Sequence, residues 1–454
     1  MSQSCSCIPD EFITRLCDSI ANNYSIEAKL FENNNVKRGL RNADGTGVVA
    51  GITRICNVHG YLINEGERMP VEGELTYRGI NVKDIVADCR KDNRYGFEET
   101  AYLLLFGSMP TAEQLKEFSA VLFDCRELPD NFTEDVILKA PCKNIMTSLS
   151  RSVLALYAYD SNPENTSLEN LIEQSIKLIA RFPSIVVNAY QVKKRFFDKE
   201  SMYFHFPQNN LSTAENFLYT MRNDNKFTHD EAKLLDISLL LHAEHGGGNN
   251  SAFASRVLSS SGTDTYAAIS AAVGSLKGPK HGGANAKVTE MFEHIKNNVQ
   301  NWEDDDEIAS YIEKLIQKKA GDRSGLIYGM GHAVYTISDP RAVIVKDSAK
   351  SLAQKKGMLK EFMLIDSVER LTPVIFSRIK NDNKVISANV DMYSGFVYKM
   401  LDIPQELYTP LFAIARIVGW CAHRIEEITT GGKIIRPAYK SVQAPIDYIP
   451  LNNR

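Results

Sequence analysis

The stretch "THDEAKLLDISLLLHAEHGGGNNSAF" occupies residues 228–253, and the rest of the chain is read outward from it. Thr228 and Glu231 stand three apart, the spacing of a capping box. In that motif a hydroxyl and a carboxylate satisfy two of the unpaired N–H groups that open a helix. Leu234, Leu235, Leu239 and Leu241 follow, so the helix reads as apolar and buried. It then meets His242, His245 and three glycines. Glycine lets backbone approach a ligand and point its N–H groups at it.

Further out, the pattern stays helical. "FEETAYLLLFGSMPTAEQLKEF" (97–118) predicts a helix, a stop at Gly107, a break at Pro110 and a second helix opened by Thr111. "EDDDEIASYIEKLIQKK" (303–319) carries acids in its first turn, Ile308, Tyr311, Ile312, Leu315 and Ile316 at helical spacing, and Lys318 and Lys319 at its close. Its acidic run is most simply a solvated helix start. "TYAAISAAVGSLKG" (265–278) is a helix with a small-residue face, suited to close packing in the centre of the protein or between subunits; an Ala-rich helix of high propensity explains it equally well. One region departs from this. Residues 51–80, "GITRICNVHGYLINEGERMPVEGELTYRGI", lack helical periodicity and predict a short β-hairpin. Polar turns near 221–230 and 380–384 read as domain-edge loops. The fold class is mainly α, with no fixed-period repeat.

Composition agrees. The chain has 454 residues, 44% hydrophobic and 24% charged, enough for a large core. A net charge of −4 argues against a nucleic-acid-binding face. No apolar run reaches the ~20 residues of a membrane span. The first twenty residues lack the basic start and apolar stretch of a leader, so a cytoplasmic protein is expected. The eight cysteines are scattered; only Cys5 and Cys7 are close, a poor zinc spacing, and free thiols are expected.

The chemistry concentrates where histidine meets glycine. Besides His242 and His245, His281 stands in "KGPKHGGANAKV" (277–288) and His332 in "GMGHAVYTISDPR" (329–341). One such histidine is ordinarily a satisfied polar residue; three clusters make that harder to hold. "HAEH" is not the H-E-x-x-H of zinc peptidases, and "GSLKGPKHGG" lacks the strand and the Gly-Lys-Ser/Thr of a phosphate loop. No metal and no dinucleotide cofactor is expected. Arginines form a second set: Arg341 after Asp-Pro, Arg416 within the apolar "LFAIARIVGWCAH", and Arg436 in "IIRPAY". Arginine on an apolar face usually pairs with a carboxylate, and several in one cleft suit a substrate with two or three carboxylates. Asp391, in "SANVDMYSGFVYKML", reads from sequence alone as an N-cap.

Taken together and in order, "LHAEHGGGNNSAF", "GPKHGGAN", "GMGHAVYTISDPR", "NVDMYSG", "FAIARIVGW" and "IIRP" resemble the citrate synthase family. Upstream, "EGELTYRGI", "FEETAYLLLFGSMPT" and "NNLSTAENFLYTM" are similar to it as well, so the likeness spans roughly residues 45–445. The resemblance implies a two-domain helical fold. A large discontinuous domain would take 1–280 and 392–454, and a small, mobile, CoA-binding domain 281–391. It implies condensation of acetyl-CoA with oxaloacetate, then hydrolysis of citryl-CoA. Asp391 would take the methyl proton, His281 would stabilise the enol or enolate, and His332 would polarise the ketone. His245, Arg341 and Arg416 would hold oxaloacetate, with Arg436 reaching in from the neighbouring subunit of a homodimer. Gly329, Met330 and Gly331 would lie against CoA. Thr336 and Ile337 stand where many relatives place basic residues, and Tyr328 where some have proline, so Lys277, Lys280, Lys346 or Lys350 are left as phosphate contacts. The nearest alternative is 2-methylcitrate synthase, with propionyl-CoA; a distant one is a non-catalytic relative.

Overall fold

A computed structural model describes residues 8–42, 44–65, 67–381 and 385–454. The Cys5–Cys7 pair and part of the 380–384 turn lie outside the described residues. The chain divides into two compact units, Gly51–Ile435 and Met1–Ala50 with Arg436–Arg454.

The smaller unit holds helices α1 (Asp10–Asn23) and α2 (Ala28–Asn33). A turn follows in which Asp44 accepts from the Thr46 N–H at 2.8 Å, and Arg41 bridges to Gly47. The C-terminal segment is non-helical up to a 3-10 turn at Leu451–Asn453, and Arg436 within it is exposed.

The larger unit opens with the predicted hairpin, β1 (Cys56–Asn64) against β2 (Glu67–Tyr77), antiparallel, with a short β3 (Ile80–Asn81) beyond. Helices follow: α3 (Val82–Lys91), α4 (Phe97–Phe106), α5 (Ala112–Asp124), α6 (Ile145–Ala155), α7 (Leu168–Lys193) and α8 (Thr213–Met221). Gly107 adopts the left-handed conformation that ends α4, and Thr111 and Gln114 form the capping box of α5. Next come α9 (His229–His242), α10 (Asn250–Ser259), α11 (Thr265–Lys277), α12 (Ala284–Asn298) and α13 (Asp305–Ile316). The last are α14 (Pro340–Lys355), α15 (Leu359–Lys380), α16 (Asp391–Met400) and α17 (Tyr408–Thr429).

The opening stretch forms as read. Thr228 and Glu231 make the capping box of α9, and nearly the whole helix is buried. The acidic run at 304–307 opens α13 with Asp304 as its cap, although the helix ends at Ile316, just before Lys318 and Lys319. The small-residue helix α11 packs against α10, α6 and α17, and Ser150 of α6 meets Ser270 of α11 at 2.8 Å between hydroxyls. At the centre lies α17, whose Ile414, Ala415, Ile417, Val418, Trp420 and Cys421 are all buried.

Asp391 is a correction. It is the first helical residue of α16, not its cap; Val390 holds the cap position, and the Asn389 side chain accepts the Asp391 N–H at 3.0 Å. With that bond made by Asn389, the Asp391 carboxylate keeps its lone pairs for other work.

Candidate active site

A cavity of about 150 Å³ lies in the larger unit where α9, α12, α16 and α17 converge with the 329–341 loop. Its walls include His242, His245, His281, His332, Arg341, Asp391 and Arg416. Six of the predicted site residues thus share one wall system. Arg436 belongs to the other unit, and Gly329, Met330 and Gly331 do not line this cavity.

The end of α9 is fixed from β2. Tyr77 Oη lies 3.1, 3.2 and 3.2 Å from the carbonyls of Leu240, Leu241 and Glu244. This sets the last turn, and with it His242 and His245. His242 Nδ1 donates to the Ser238 carbonyl at 2.7 Å, and burial lowers its pKa to about 3, so it is a neutral core histidine. His245 is neutral for a related reason: burial first, then Arg341, His332 and Arg416, push its pKa well down. Its Nε2 sits 3.2 Å from the Tyr335 hydroxyl.

The loop carrying His332 is seated on the hairpin. A side chain at Gly73 would place a Cβ 2.0 Å from the Ser338 carbonyl oxygen, and one at Gly60 would fall 2.7 Å from Tyr335 Cα. Thr336 donates to the Gly60 carbonyl. Thr336 therefore anchors the loop to the sheet. Within the loop, His332 Nδ1 accepts the N–H groups of Val334 (3.0 Å) and Tyr335 (3.1 Å). A nitrogen that accepts two N–H bonds has no proton of its own, so in the neutral ring Nε2 carries the hydrogen and is a donor. On the other side of His332, Gly331 N–H donates to Ser387 O (2.7 Å), Asn389 N–H to Gly329 O (2.8 Å) and Asn389 Nδ2 to Gly331 O (2.8 Å). These bonds tie the histidine loop to the segment that opens α16 at Asp391.

The Asp-Pro-Arg corner has a role that sequence reasoning missed. Asp339 caps α14, with Pro340 at the first helical position. Its carboxylate also grips Arg341 bidentately, from Nε at 3.0 Å and Nη2 at 2.7 Å, and accepts the Val390 N–H at 3.2 Å. One buried acid therefore orients both Arg341 and the start of α16. Only the cap was legible, because Asp before Pro is a helix-start signature.

Arg416 is different. It is fully buried, and its Nε donates to the His242 carbonyl at 2.7 Å, but Nη1 and Nη2 have no hydrogen-bond partner. Leaving buried charged donors unmade costs about 1–3 kcal/mol or more each. Burial lowers its pKa, opposed chiefly by the nearby Glu244. Burial also opposes the charge of Glu244, but His423 and Arg416 hold its pKa at about 2. His423 Nε2 lies 3.0 Å from Glu244 Oε1, and Arg256 Nε reaches His423 Nδ1 at 3.0 Å. Glu244 packs into the space left by Gly419, where a Cβ would meet its Oε2 at 2.0 Å. A guanidinium with two unpartnered nitrogens is suited to a carboxylate.

His281 sits in the turn before α12, its N–H bonded to the Gly278 carbonyl at 2.9 Å. Burial, then Arg416, lowers its pKa to about 4, so it too is neutral. Ser251 Oγ stands 3.0 Å from His281 Nε2 and also accepts from Trp420 Nε1 at 3.1 Å. Asp391 is pushed the other way. Burial raises its pKa to about 6; Arg341 opposes this, Asp339 adds to it, and a hydrogen bond from Asn285 lowers it. The set is one carboxylate near its titration point, neutral imidazole donors and a vacant guanidinium edge. It can remove a weakly acidic proton and stabilise the oxygen that gains charge.

Among the lysines expected to meet phosphate, Lys346 is engaged by Asp366 and by Glu369, the latter at 2.7 Å.

The chain is similar to known proteins over most of its length. The family described as "Citrate synthase, C-terminal domain" matches residues 42–438. A citrate synthase of Synechocystis is 33% identical over 90% of this chain and 92% of its own. The 2-methylcitrate synthase 1 of Corynebacterium glutamicum is 31% identical over 92% and 98%. Among solved structures, the Thermoplasma acidophilum citrate synthase, in a ternary complex with carboxymethyl coenzyme A and oxaloacetate, is 28% identical with a TM-score of 0.74, covering 92% of this chain and 99% of that one.

Proposed function

The chain belongs to the citrate synthase family, and we propose that its cavity condenses acetyl-CoA with oxaloacetate through an enol or enolate and then hydrolyses citryl-CoA to citrate and CoA. It is an acyltransferase. The observation that carries the substrate assignment is Arg416, whose two Nη atoms are buried without a partner at the wall of a cavity of small-acid size beside His245, His332 and Arg341.

In this reading oxaloacetate lies with one carboxylate on Arg416 and another on the edge of Arg341 that Asp339 leaves open. His245 adds a polar contact. His332 Nε2–H donates to the ketone, which becomes an alkoxide during attack. Asp391 removes the thioester methyl proton while neutral His281 donates to the enolate oxygen. The methyl proton is too weakly acidic for a carboxylate acting alone, so donor and base must act together. A base with a pKa near 6 is better matched to the task than an ordinary aspartate. The scheme needs no metal or further cofactor.

Charge within the cavity also bears on assembly. Arg341 is matched by Asp339 and Arg416 is balanced by Glu244. A dianionic substrate therefore calls for another cation, and exposed Arg436 supplies it in a homodimer, reaching the neighbouring site. We assign residues 281–391 to a small domain that closes over the substrates and contributes Gly329, Met330 and Gly331 to the CoA site. The setting is the cytoplasm. Propionyl-CoA is the second reading, favoured by the likeness to a 2-methylcitrate synthase. One extra methyl is worth about 1–3 kcal/mol in an apolar pocket, too little to read from these walls.

The test is CoA-thiol release with acetyl-CoA and with propionyl-CoA, each with and without oxaloacetate. Oxaloacetate-dependent release, faster from acetyl-CoA, is expected. Asp391→Ala should abolish it while leaving oxaloacetate binding by calorimetry intact. Near-normal turnover in that variant would sink the mechanism.

A further inference from the structure

A second cavity, of about 340 Å³ and open to solvent, lies apart from the catalytic residues, sharing no lining residue with the first. It is bounded by the loop that follows α5, by α7, by residues 204–207 and by Thr220 of α8. Its volume falls within the range of small-molecule sites.

Its polar wall is unfinished. Arg126 is 5% exposed and held in place: Nη1 donates to the carbonyls of Gln208 (2.9 Å) and Leu211 (2.7 Å), and the guanidinium lies 4.0 Å over the Phe123 ring. Its Nη2 is buried with no hydrogen-bond partner. His205 lines the same cavity, and its Nε2 is likewise buried and unpartnered. Native proteins rarely leave such groups unmet, because each costs a desolvation penalty that nothing returns. Arg126 Nη2, buried behind one wall of the cavity, is a donor that the chain does not satisfy.

The rest of the lining narrows the class. Leu128, Pro129, Val187 and Phe204 give an apolar wall. Glu127, Asp130 and Glu134 are the acids, all exposed. One guanidinium against three carboxylates disfavours phosphates and other polyanions. We propose that this cavity is a second ligand site, for a small monocarboxylate with an apolar or aromatic body. The carboxylate sits against the Arg126 guanidinium and the body lies along Val187 and Phe204.

The test uses benzoate as the probe, titrated by calorimetry and by saturation-transfer NMR into the full-length protein saturated with oxaloacetate. Benzamide, of the same shape without charge, and inorganic phosphate are the comparators. Benzoate should bind saturably despite the oxaloacetate, and at least ten times more tightly than either comparator. Arg126→Gln should weaken it at least tenfold. Because Arg126 also caps two carbonyls, Ser184→Trp serves as the second variant: it fills the cavity from α7 and leaves the guanidinium in place. It should abolish benzoate binding with basal turnover retained. No saturable benzoate binding to the wild type would overturn the proposal, as would equal binding of benzamide or phosphate, or binding that Ser184→Trp leaves unchanged.

Discussion

Asp391 and His281 carry opposite pKa shifts from the same cause. Burial penalises the charged form of each, so the carboxyl rises to about 6 and the imidazole falls to about 4. As base, Asp391 must be ionised, so kcat/KM should fall as pH drops through about 6, with a slope of one proton. A rate profile flat down to pH 5 would remove Asp391 from that role. His281 needs its donor nitrogen fixed, and Ser251 is placed to do this. The serine accepts from Trp420, donates to Asn249 Oδ1 at 2.9 Å and lies 3.0 Å from His281 Nε2, so its contact fixes the plane of the His281 ring. Ser251→Ala should then lower kcat about 10- to 100-fold, in line with losses of orienting partners elsewhere, with the KM for oxaloacetate little changed. Ser251→Thr, which keeps the hydroxyl, should retain most of the activity; an unchanged kcat in the alanine variant would refute the role. Sequence made the histidines legible because glycine frames them. It did not reveal Asp339 as the partner of Arg341, because a two-residue spacing gives no sign of whether a carboxylate turns inward. Asp391 read as a cap for the same reason. The residue that caps is decided by a side-chain bond, and here Asn389 makes it.

At the scale of elements, the hairpin and the 329–341 loop act as a template and its casting. Sequence gives the hairpin through loss of helical periodicity, and gives nothing of what packs on it, since the loop comes more than 250 residues later. Gly73 joins the two. Its hypothetical Cβ meets backbone at Ser338, Tyr335 Cδ1 at 2.9 Å and Pro340 Cδ at 3.0 Å, so neither loop nor strand can give way cheaply. Gly73→Ala should displace Asp339 and Arg341 through Ser338 and Pro340. The expected result is a loss of about 1–3 kcal/mol of stability, the usual cost of overpacking, together with a raised KM for oxaloacetate. Helix content by far-ultraviolet circular dichroism should stay the same. Wild-type KM and unfolding midpoint in this variant would show that the contact is slack. The helices themselves were readable where caps and periodicity agreed, as in α4, α5 and α9. The end of α13 was misplaced by two residues or more, because Lys318 adopts a positive φ just after the turn at Gln317.

For the whole molecule, sequence gave the extent of the family likeness almost as the match at 42–438 has it, because motifs in fixed order survive where single residues do not. It could not give the geometry of assembly, which depends on surfaces that carry no periodic signal. The proposed dimer has a consequence that neither subunit can mimic alone. Asp391 lies in the Gly51–Ile435 unit and Arg436 in the other, and the proposal has each active site take Asp391 from one subunit and Arg436 from its partner. Asp391→Ala and Arg436→Ala homodimers should each be inactive or nearly so. In a mixed dimer, one site receives both lesions and the other receives neither. An equal mixture, unfolded and refolded together, should therefore recover about a quarter of wild-type turnover, since half the dimers are mixed and each has one intact site of two. The mixed species, isolated by differential tagging, should show about half, with a wild-type KM for oxaloacetate. If Arg436 served its own subunit's site, every site would carry one lesion in any mixture. Turnover would then stay at the level of the parents.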